Sequence, residues 1–334
     1  MHMANELLSL PVAIGSLTAA AGTLSWVCRR VQQSLSVDRM ALTGMLGAFV
    51  FAAQMVNIQL PGMPGTSGHL IGAVLLSIIL GPHAGALAIS AVVMIQCLIF
   101  QDGGLLALGC NIINMALVPA YLGHWIYRKI TGPTPSSQGF YLATLLACLT
   151  TVEASALLVS LQAALSGVLV VPLRIFAGTM LGVHAIVGLL EGLITISVLA
   201  YLQQVRPATL SLPIPGRARL SQRTVLITLG VATCLIAAGV SLLASGLPDG
   251  LEWSYAERPD QPDFQPLIAP PDQGTTRIDD LQAKVALMPD YTQPNTDAAG
   301  WTSLAGLLGS LLTMGLIWGI AKLLKRRSRQ TLAT

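Results

Sequence analysis

The stretch LIGAVLLSIILGPHAGALAISAVVMIQCLIF, residues 70–100, is apolar from end to end and carries no acidic, lysine or arginine side chain. Only the pair Gly81-Pro82 interrupts it, with His83 directly after. A helix of about 20 apolar residues crosses the hydrocarbon core of a bilayer. We therefore predict two short membrane segments here, Leu70–Leu80 and Ala84–Phe100.

The rest of the chain has the same character. Of its 334 residues, 53% are hydrophobic and only 10% are charged, and the mean hydropathy is +0.69. Soluble domains carry about 25% charged residues, so the composition predicts a polytopic membrane protein. The five cysteines form no CxxC pair, which indicates neither a disulfide framework nor a thiolate metal cage.

The apolar periodicity predicts an all-α polytopic fold with nine transmembrane helices. Seven further runs join the two short ones: Leu8–Val27, Met40–Ile58, Leu105–Tyr127, Phe140–Leu165, Phe176–Leu202, Thr224–Ser245 and Thr302–Leu324.

The basic residues predict an orientation with the amino terminus outside and the carboxy terminus in the cytoplasm. Lysine and arginine concentrate in cytoplasmic loops. This orientation places most of them inside: Arg29, Arg30, Arg39, Arg128, Lys129, Arg206, Arg217, Arg219, Arg223, Lys322, Lys325, Arg326, Arg327 and Arg329. A cleaved signal peptide is the alternative for the first segment, since an A-x-A-like site lies near Ala19–Ala21. The absence of a positive charge before Leu8 argues against it.

The polar insert Leu247–Gly300 falls outside in this topology. It holds ten acidic and three basic residues and is rich in proline. Such a segment is typical of a solvated extracytoplasmic connector that is partly ordered at best. The alternative is an acidic loop that raises the local concentration of cations.

The chain begins MHMANELLSL, and its second residue is a histidine. An α-amine, the amide nitrogen of residue 2 and an imidazole at position 2 can close two fused chelate rings on one metal ion. Three nitrogens in a plane suit Ni2+ or Cu2+, which favour square-planar geometry. An isolated histidine at this position is more often without function, so the spacing alone is a weak signal.

A second histidine strengthens the metal hypothesis. His69, in PGTSGHL, follows the second predicted span and so lies on the same outer side as the terminus. We expect Met1, His2 and His69 to form a site for a small divalent cation. His83 and His124 lie towards the inner side, where roles at helix ends are the simpler interpretation.

Polar residues inside apolar segments are further candidates, because ionisable groups within a membrane are costly. His184 and Glu191 are seven residues apart and share one helix face, and Glu153 lies in the sixth span. Ligating imidazoles usually donate their second N–H to an oxygen. The side chains available for this are Gln54, Asn57, Ser67, Gln101, Asn111 and Asn114, and helix–helix hydrogen bonding is the alternative for each.

Several blocks together closely resemble the CbiM/NikM family: MHMANELLS, GAFVFAAQMVN, GTSGHLIGAVLLSIILGP, FQDGGLLALGCNIINM and LGVHAIVGLLEGLIT. These proteins are the substrate-binding components of energy-coupling factor (ECF) transporters for cobalt and nickel. The tail with the block PDGLEW resembles the small NikN/CbiN partner, fused here onto the same chain. The resemblance implies a metal-binding membrane domain over 1–203, a cytoplasmic linker over 204–223 and a NikN/CbiN-like part over 224–334.

The resemblance also implies a ligand set: the terminal amine, the amide and imidazole of residue 2, and the histidine of the GTSGHL block. Here these are Met1, His2 and His69. The chain departs from many relatives at Ala4-Asn5, which blurs the choice between nickel and cobalt. His83 replaces what is often an aromatic residue, which argues against a role for it. Square-planar ligation by four nitrogens favours Ni2+ over Co2+ as the transported substrate, and no organic cofactor is expected.

The chain has no G-x-x-x-x-G-K-[ST] loop or other nucleotide site, so it is not expected to be an enzyme. The family implies a transmembrane coupling subunit (NikQ/CbiQ-like) and two ATPase subunits (NikO/CbiO-like) in a bacterial inner membrane. No nucleic-acid partner is indicated. An ion-coupled secondary carrier using Glu153, His184 and Glu191 is the main alternative. A membrane enzyme or metalloenzyme assembly factor is weaker, because no HExxH motif or nucleophile elbow is present.

Overall fold

A computed structural model describes residues 1–34, 36–132, 137–205, 220–292 and 299–331. The chain is mostly helical. Twelve α-helices are numbered in chain order: α1 Leu10–Ser34, α2 Val37–Gln54, α3 Ala73–Leu80, α4 Pro82–Phe100, α5 Leu108–Asn111, α6 Val118–Thr131, α7 Ser137–Ser166, α8 Leu173–Val205, α9 Gln222–Ala238, α10 Gly250–Tyr255, α11 Gln273–Val285 and α12 Ala299–Thr331. A π-helical turn, Ile112–Leu117, joins α5 to α6. Two short strands, β1 Ile58–Gln59 and β2 Ser67–Gly68, pair antiparallel.

Six helices within the described residues are long and apolar enough to cross a bilayer. They are Leu10–Gln33, Pro82–Phe100, Gln138–Ser166, Leu173–Val205, Gln222–Leu243 and Gly300–Lys325. A multi-pass helical membrane protein is therefore confirmed. The predicted total of nine helices and the orientation stay predictions.

The stretch 70–100 forms a helical hairpin in the centre of the molecule. The turn is made by Gly81, whose φ of 87° ends α3, and Pro82 begins α4 as its first residue. Every residue of α3 is buried. Its eight residues rise only about 12 Å, less than half of a hydrocarbon core of about 30 Å, so α3 alone does not cross it. Residues 70–72, predicted as part of the same segment, lie instead in the loop that follows His69.

The carboxy-terminal helices pack into the same core. The Ser310 hydroxyl of α12 donates to the Ala48 carbonyl of α2 over 3.3 Å. Ser303 of α12 donates to the Ala238 carbonyl at the end of α9 over 2.7 Å. The predicted domain boundary at 203/204 and the linker 204–223 stay predictions, since residues 206–219 lie outside the described part of the chain.

The insert that follows α9 is folded, which corrects the expectation of a solvated, partly ordered connector for residues 247–292. It contains α10, α11 and a 3-10 turn, Pro289–Tyr291. Leu169 pairs with Ile268, and Ser67 pairs with Asp249. Gln282 of α11 donates to the carbonyls of Cys97 and Gly103. The insert therefore covers the end of the bundle where the chain begins.

Candidate metal site at the amino terminus

The first eight residues form a segment that is clamped into the bundle. The side chain of Asn111 accepts from the Met3 N–H over 2.8 Å and donates to the Met3 carbonyl over 3.2 Å. The Gly104 N–H donates to that carbonyl over 2.8 Å, and the Leu106 N–H donates to Asn5 Oδ1 over 2.7 Å. Met3 is fully buried. These contacts hold the chain terminus inside the protein.

Two adjacent glycines make room for this segment. A Cβ on Gly104 would lie 2.4 Å from the Asn5 nitrogen, and one on Gly103 would lie 3.2 Å from the Cβ of His2. Gly103 also has a φ of +90°, which side chains other than glycine rarely adopt. The FQDGGLL block is therefore a cradle for the terminus.

The amine of Met1 lies beside His69. Its nitrogen is 3.1 Å from His69 Nε2, and His69 Nδ1 is 3.0 Å from the Leu70 carbonyl oxygen. A carbonyl oxygen only accepts, so Nδ1 carries the proton and Nε2 presents a lone pair. This is the tautomer that a metal bound at Nε2 requires.

The loop that carries His69 is held by Glu191 of α8. One carboxylate oxygen accepts from the Ile71 N–H and the other from the Gly72 N–H, each over 3.0 Å. Glu191 is 2% exposed, so both bonds are shielded from water. Glu191 therefore fixes the backbone two and three residues after His69.

The imidazole of His2 stacks on that of His69, with ring centroids 5.3 Å apart. His2 Nε2 lies 3.1 Å from Gln96 Oε1. Gln96 in turn donates to Gln54 Oε1 over 2.8 Å, and Gln54 donates to the Ile71 carbonyl over 2.7 Å. The orientation of each amide is thus fixed by the next, so Nε2 carries the proton and Nδ1 faces the site.

His2 Nδ1 lies 3.0 Å from Asp102 Oδ1. With Nε2 already protonated towards Gln96, a proton shared between these two atoms would make His2 an imidazolium, and a metal bound at Nδ1 would replace that proton. Tyr291 donates to the other oxygen of Asp102 over 2.5 Å and stacks on Phe100 with ring centroids 4.8 Å apart.

Burial sets the charge state of the site. It lowers the pKa of His2, an effect that the nearby Asp102 opposes. Burial and then the charge of the terminal amine lower the pKa of His69 to about 3. For Asp249, burial alone would raise the pKa, but the terminal amine and His69 outweigh it and hold the carboxyl well below its usual range. At neutral pH the site therefore presents His69 as a neutral ligand beside an ionised carboxylate.

A cavity of about 520 Å3 opens onto the two imidazoles. Six acidic side chains line it: Glu6, Asp102, Asp249, Glu252, Asp279 and Asp290. Among the described residues, no lysine or arginine lines it. Four of the six come from the insert. Such a concentration of negative charge attracts cations.

The predicted supporting residues have different outcomes. Asn111 and Glu191 contact the segments that carry His2 and His69. Ser67 donates instead to the insert carbonyls of Leu247 and Pro248, and Gln101 approaches the Asp279 carbonyl. Asn57 Oδ1 is buried, and no hydrogen-bond partner for it lies within the residues that the structure describes.

His184 and Glu191 of α8 do not pair with each other. His184 Nδ1 lies 2.7 Å from the Met180 carbonyl, one turn earlier, whereas Glu191 binds the His69 loop. Glu153 Oε1 is buried with no hydrogen-bond partner among the described residues. Of the two histidines predicted on the inner side, His83 contacts the Tyr121 hydroxyl and His124 the Ser77 carbonyl, far along the chain from the terminal segment.

The sequence interpretation missed four contributors: Gln96, Asp102, Asp249 and Tyr291. Gln96 could have been found, because it is a polar residue inside the apolar helix α4, where it faces Gln54. Asp102 stands in the FQDGG block. Across the described residues, no three side chains of His, Cys, Asp or Glu are arranged to hold a metal ion.

Known protein families and relatives match most of the chain. The profile of the family described as cobalt uptake substrate-specific transmembrane region (CbiM) matches residues 2–209, and that of the PDGLE domain matches residues 223–326. A putative fused nickel transport protein, NikMN, of Archaeoglobus fulgidus is 30% identical over 96% of this chain and 98% of its own. The fused nickel transport protein NikMN of Rhodobacter capsulatus is 29% identical over 98% and 99%. The crystal structure of a transition metal transporter matches with a TM-score of 0.55 and 29% identity, over 61% of this chain and 93% of that one.

Proposed function

The chain belongs to the CbiM family of cobalt-uptake substrate-specific transmembrane proteins, with a PDGLE domain on the same chain, and we propose that it captures Ni2+ for import, with Co2+ as the alternative cargo. The proposed ligands are the Met1 amine, the amide and Nδ1 of His2, and Nε2 of His69. Metal-ion uptake is the activity that its relatives share.

One observation carries the proposal. The Met1 amine, the His2 ring and the His69 ring meet in one place, although 68 residues separate Met1 from His69. Each imidazole has one nitrogen held by a protein oxygen, Nε2 of His2 by Gln96 and Nδ1 of His69 by Leu70. The proposed ligand atoms are the other two nitrogens, which contact Asp102 and the Met1 amine where a metal would replace a proton. Outer oxygens of this kind orient metal-binding histidines.

The nitrogen-only donor set favours Ni2+. Three nitrogens from residues 1 and 2 are confined to a plane by two fused chelate rings, and His69 supplies the fourth. A planar set of four nitrogens suits Ni2+, whereas Co2+ more often takes other geometries. The acidic cavity supports delivery of either cation, because it selects for positive charge without distinguishing the metal.

We propose that uptake is driven by partner subunits: an ECF coupling subunit of the NikQ/CbiQ type and two NikO/CbiO-type ATPases, in a bacterial inner membrane. The chain itself offers no phosphate-binding loop. The alternative, an ion-coupled carrier, needs a titrating group in the membrane. Glu191 supports it poorly because both its oxygens hold the His69 loop. Uptake measured with and without the ATPase subunits separates the two.

The site is tested by moving the amine. One residue is added before Met1 in the full-length protein, whose amino terminus is verified by mass spectrometry, and Ni2+ and Co2+ affinities are measured by chelator competition. We expect the extension and His69→Ala each to abolish tight binding, whereas His83→Ala leaves it intact. Unchanged affinity in the extended protein would show that the amine is not a ligand.

A further inference from the structure

The carboxylate of Asp249 lies against the terminal amine. Asp249 Oδ2 is 2.5 Å from the Met1 nitrogen, and the two side chains are 20% and 3% exposed. We propose that Asp249, which belongs to the fused PDGLE part, is a positioning residue for metal capture that holds the Met1 amine in place for the metal. The inference rests on the proposed function above, because it assigns a role towards the same ligand.

Asp249 is itself fixed by its second oxygen. Oδ1 accepts from the Glu252 N–H over 2.8 Å and so caps the first turn of α10. The carboxylate thus uses one oxygen for the helix and the other for the amine. Its position is set by the fold of the insert, independently of any metal.

The backbone around Asp249 is tied to the strand that leads to His69. The Ser67 N–H donates to the Pro248 carbonyl over 2.9 Å, and the Ser67 hydroxyl donates to the Leu247 carbonyl over 2.8 Å. Ser67 stands two residues before His69. The Asp249 carboxylate and the His69 imidazole, which both contact the amine, therefore lie on two backbone segments that are hydrogen-bonded to each other.

The chemistry of an amine ligand fits this placement. A metal-bound amine keeps two N–H groups, and one of them can remain on Asp249 Oδ2 while the lone pair is on the metal. The second contact of the amine, His69 Nε2, is itself a proposed ligand, whereas Asp249 can keep its contact with the amine when the metal is bound. Outer partners of this kind change metal affinity by about 10- to 100-fold when they are removed.

The decisive variant is Asp249→Asn. Asparagine caps helices as well as aspartate does, but it has a single acceptor oxygen. If that oxygen keeps the Glu252 N–H, the amide NH2 faces the amine and two donors meet. The variant therefore keeps the cap and removes the contact with Met1. Asp249→Ser, which retains a capping oxygen but is shorter, is the second variant.

The matched control is Asp272→Asn. Asp272 caps α11 in the same way, with Oδ1 accepting from the Thr275 N–H over 2.7 Å, but it makes no contact with the amine. The experiment uses the full chain and measures two quantities: Ni2+ affinity by chelator competition, and the rate at which an acylating reagent labels the terminal amine of metal-free protein.

We expect both Asp249 variants to bind Ni2+ about 10- to 100-fold more weakly and to be labelled faster, while Asp272→Asn behaves as wild type in both assays. Wild-type affinity or a wild-type labelling rate in the Asp249 variants would overturn the inference, as would equal losses in the Asp272 control. If wild-type protein binds neither Ni2+ nor Co2+, the proposed function fails first, and the labelling rates still report whether Asp249 holds the amine.

Discussion

Glu191→Gln gives a sharp test of how the His69 loop is held. The Glu191 carboxylate accepts two backbone N–H bonds, from Ile71 and Gly72, and is 2% exposed. Glutamine keeps one acceptor oxygen and turns an NH2 group towards the other N–H. One buried N–H is then left unsatisfied, which costs about 1–3 kcal/mol.

This free-energy cost destabilises the ordered loop that binds metal, because the two N–H groups lie two and three residues after His69. If all of it opposes the ordered loop, Ni2+ affinity falls by about 5- to 150-fold. Chelator competition on the purified full chain measures this loss, and hydrogen exchange over residues 58–72 reports the loop itself.

Glu153→Gln is the matched control. Glu153 lies in α7, and its Oε1 has no hydrogen-bond partner in the described part of the chain, so replacing its carboxyl group should leave Ni2+ affinity and loop exchange unchanged. An affinity in Glu191→Gln within about twofold of wild type, less than the smallest loss expected from one unsatisfied N–H, would refute the role given to Glu191. Equal losses in both variants would point to a general effect of removing buried charge.

Three further predictions concern the same site. Gln96→Met removes the amide that fixes the His2 ring and should weaken Ni2+ binding by about 10- to 100-fold, measured by chelator competition; an unchanged affinity would mean that the ring is oriented by other contacts. Gly104→Ala should release the terminal segment and expose its amine to labelling, because the added methyl would meet Asn5 at 2.4 Å, whereas Gly182→Ala, where nothing lies within 4 Å, should not. Apparent Ni2+ affinity should fall by at least about tenfold per pH unit on acidification, because the amide of His2 must lose a proton to bind; a pH-independent affinity would contradict amide ligation. His69, with its pKa lowered to about 3, is neutral above that value and adds no step of its own near neutral pH.

The sequence predicts the membrane class from its apolar periodicity. It predicts that His2 and His69 share a site from the basic loops, which put both histidines on one side of the membrane, and from the resemblance of their blocks to the CbiM/NikM family. It does not predict α3 as a buried eight-residue helix, since a short apolar run looks the same whether it spans a bilayer or fills a core. The contacts of Asp249 and Tyr291 with the site could not be predicted from the sequence, for another reason. They join residues far apart in the chain, and an acidic, proline-rich segment has the composition of a flexible connector until its packing partners are known.

The distance along the chain between Met1 and Asp249, 248 residues, has a consequence for biosynthesis. At about 5–20 residues per second, some 10–35 s pass between synthesis of the His69 loop and synthesis of Asp249. During that interval the cavity beside the two histidines lacks the lining residues that the insert contributes. Chains halted before residue 247 are therefore expected to leave the terminal amine open to labelling. Carrying the insert on the same polypeptide makes the closing step an intramolecular event, whose rate does not depend on finding a second protein in the membrane.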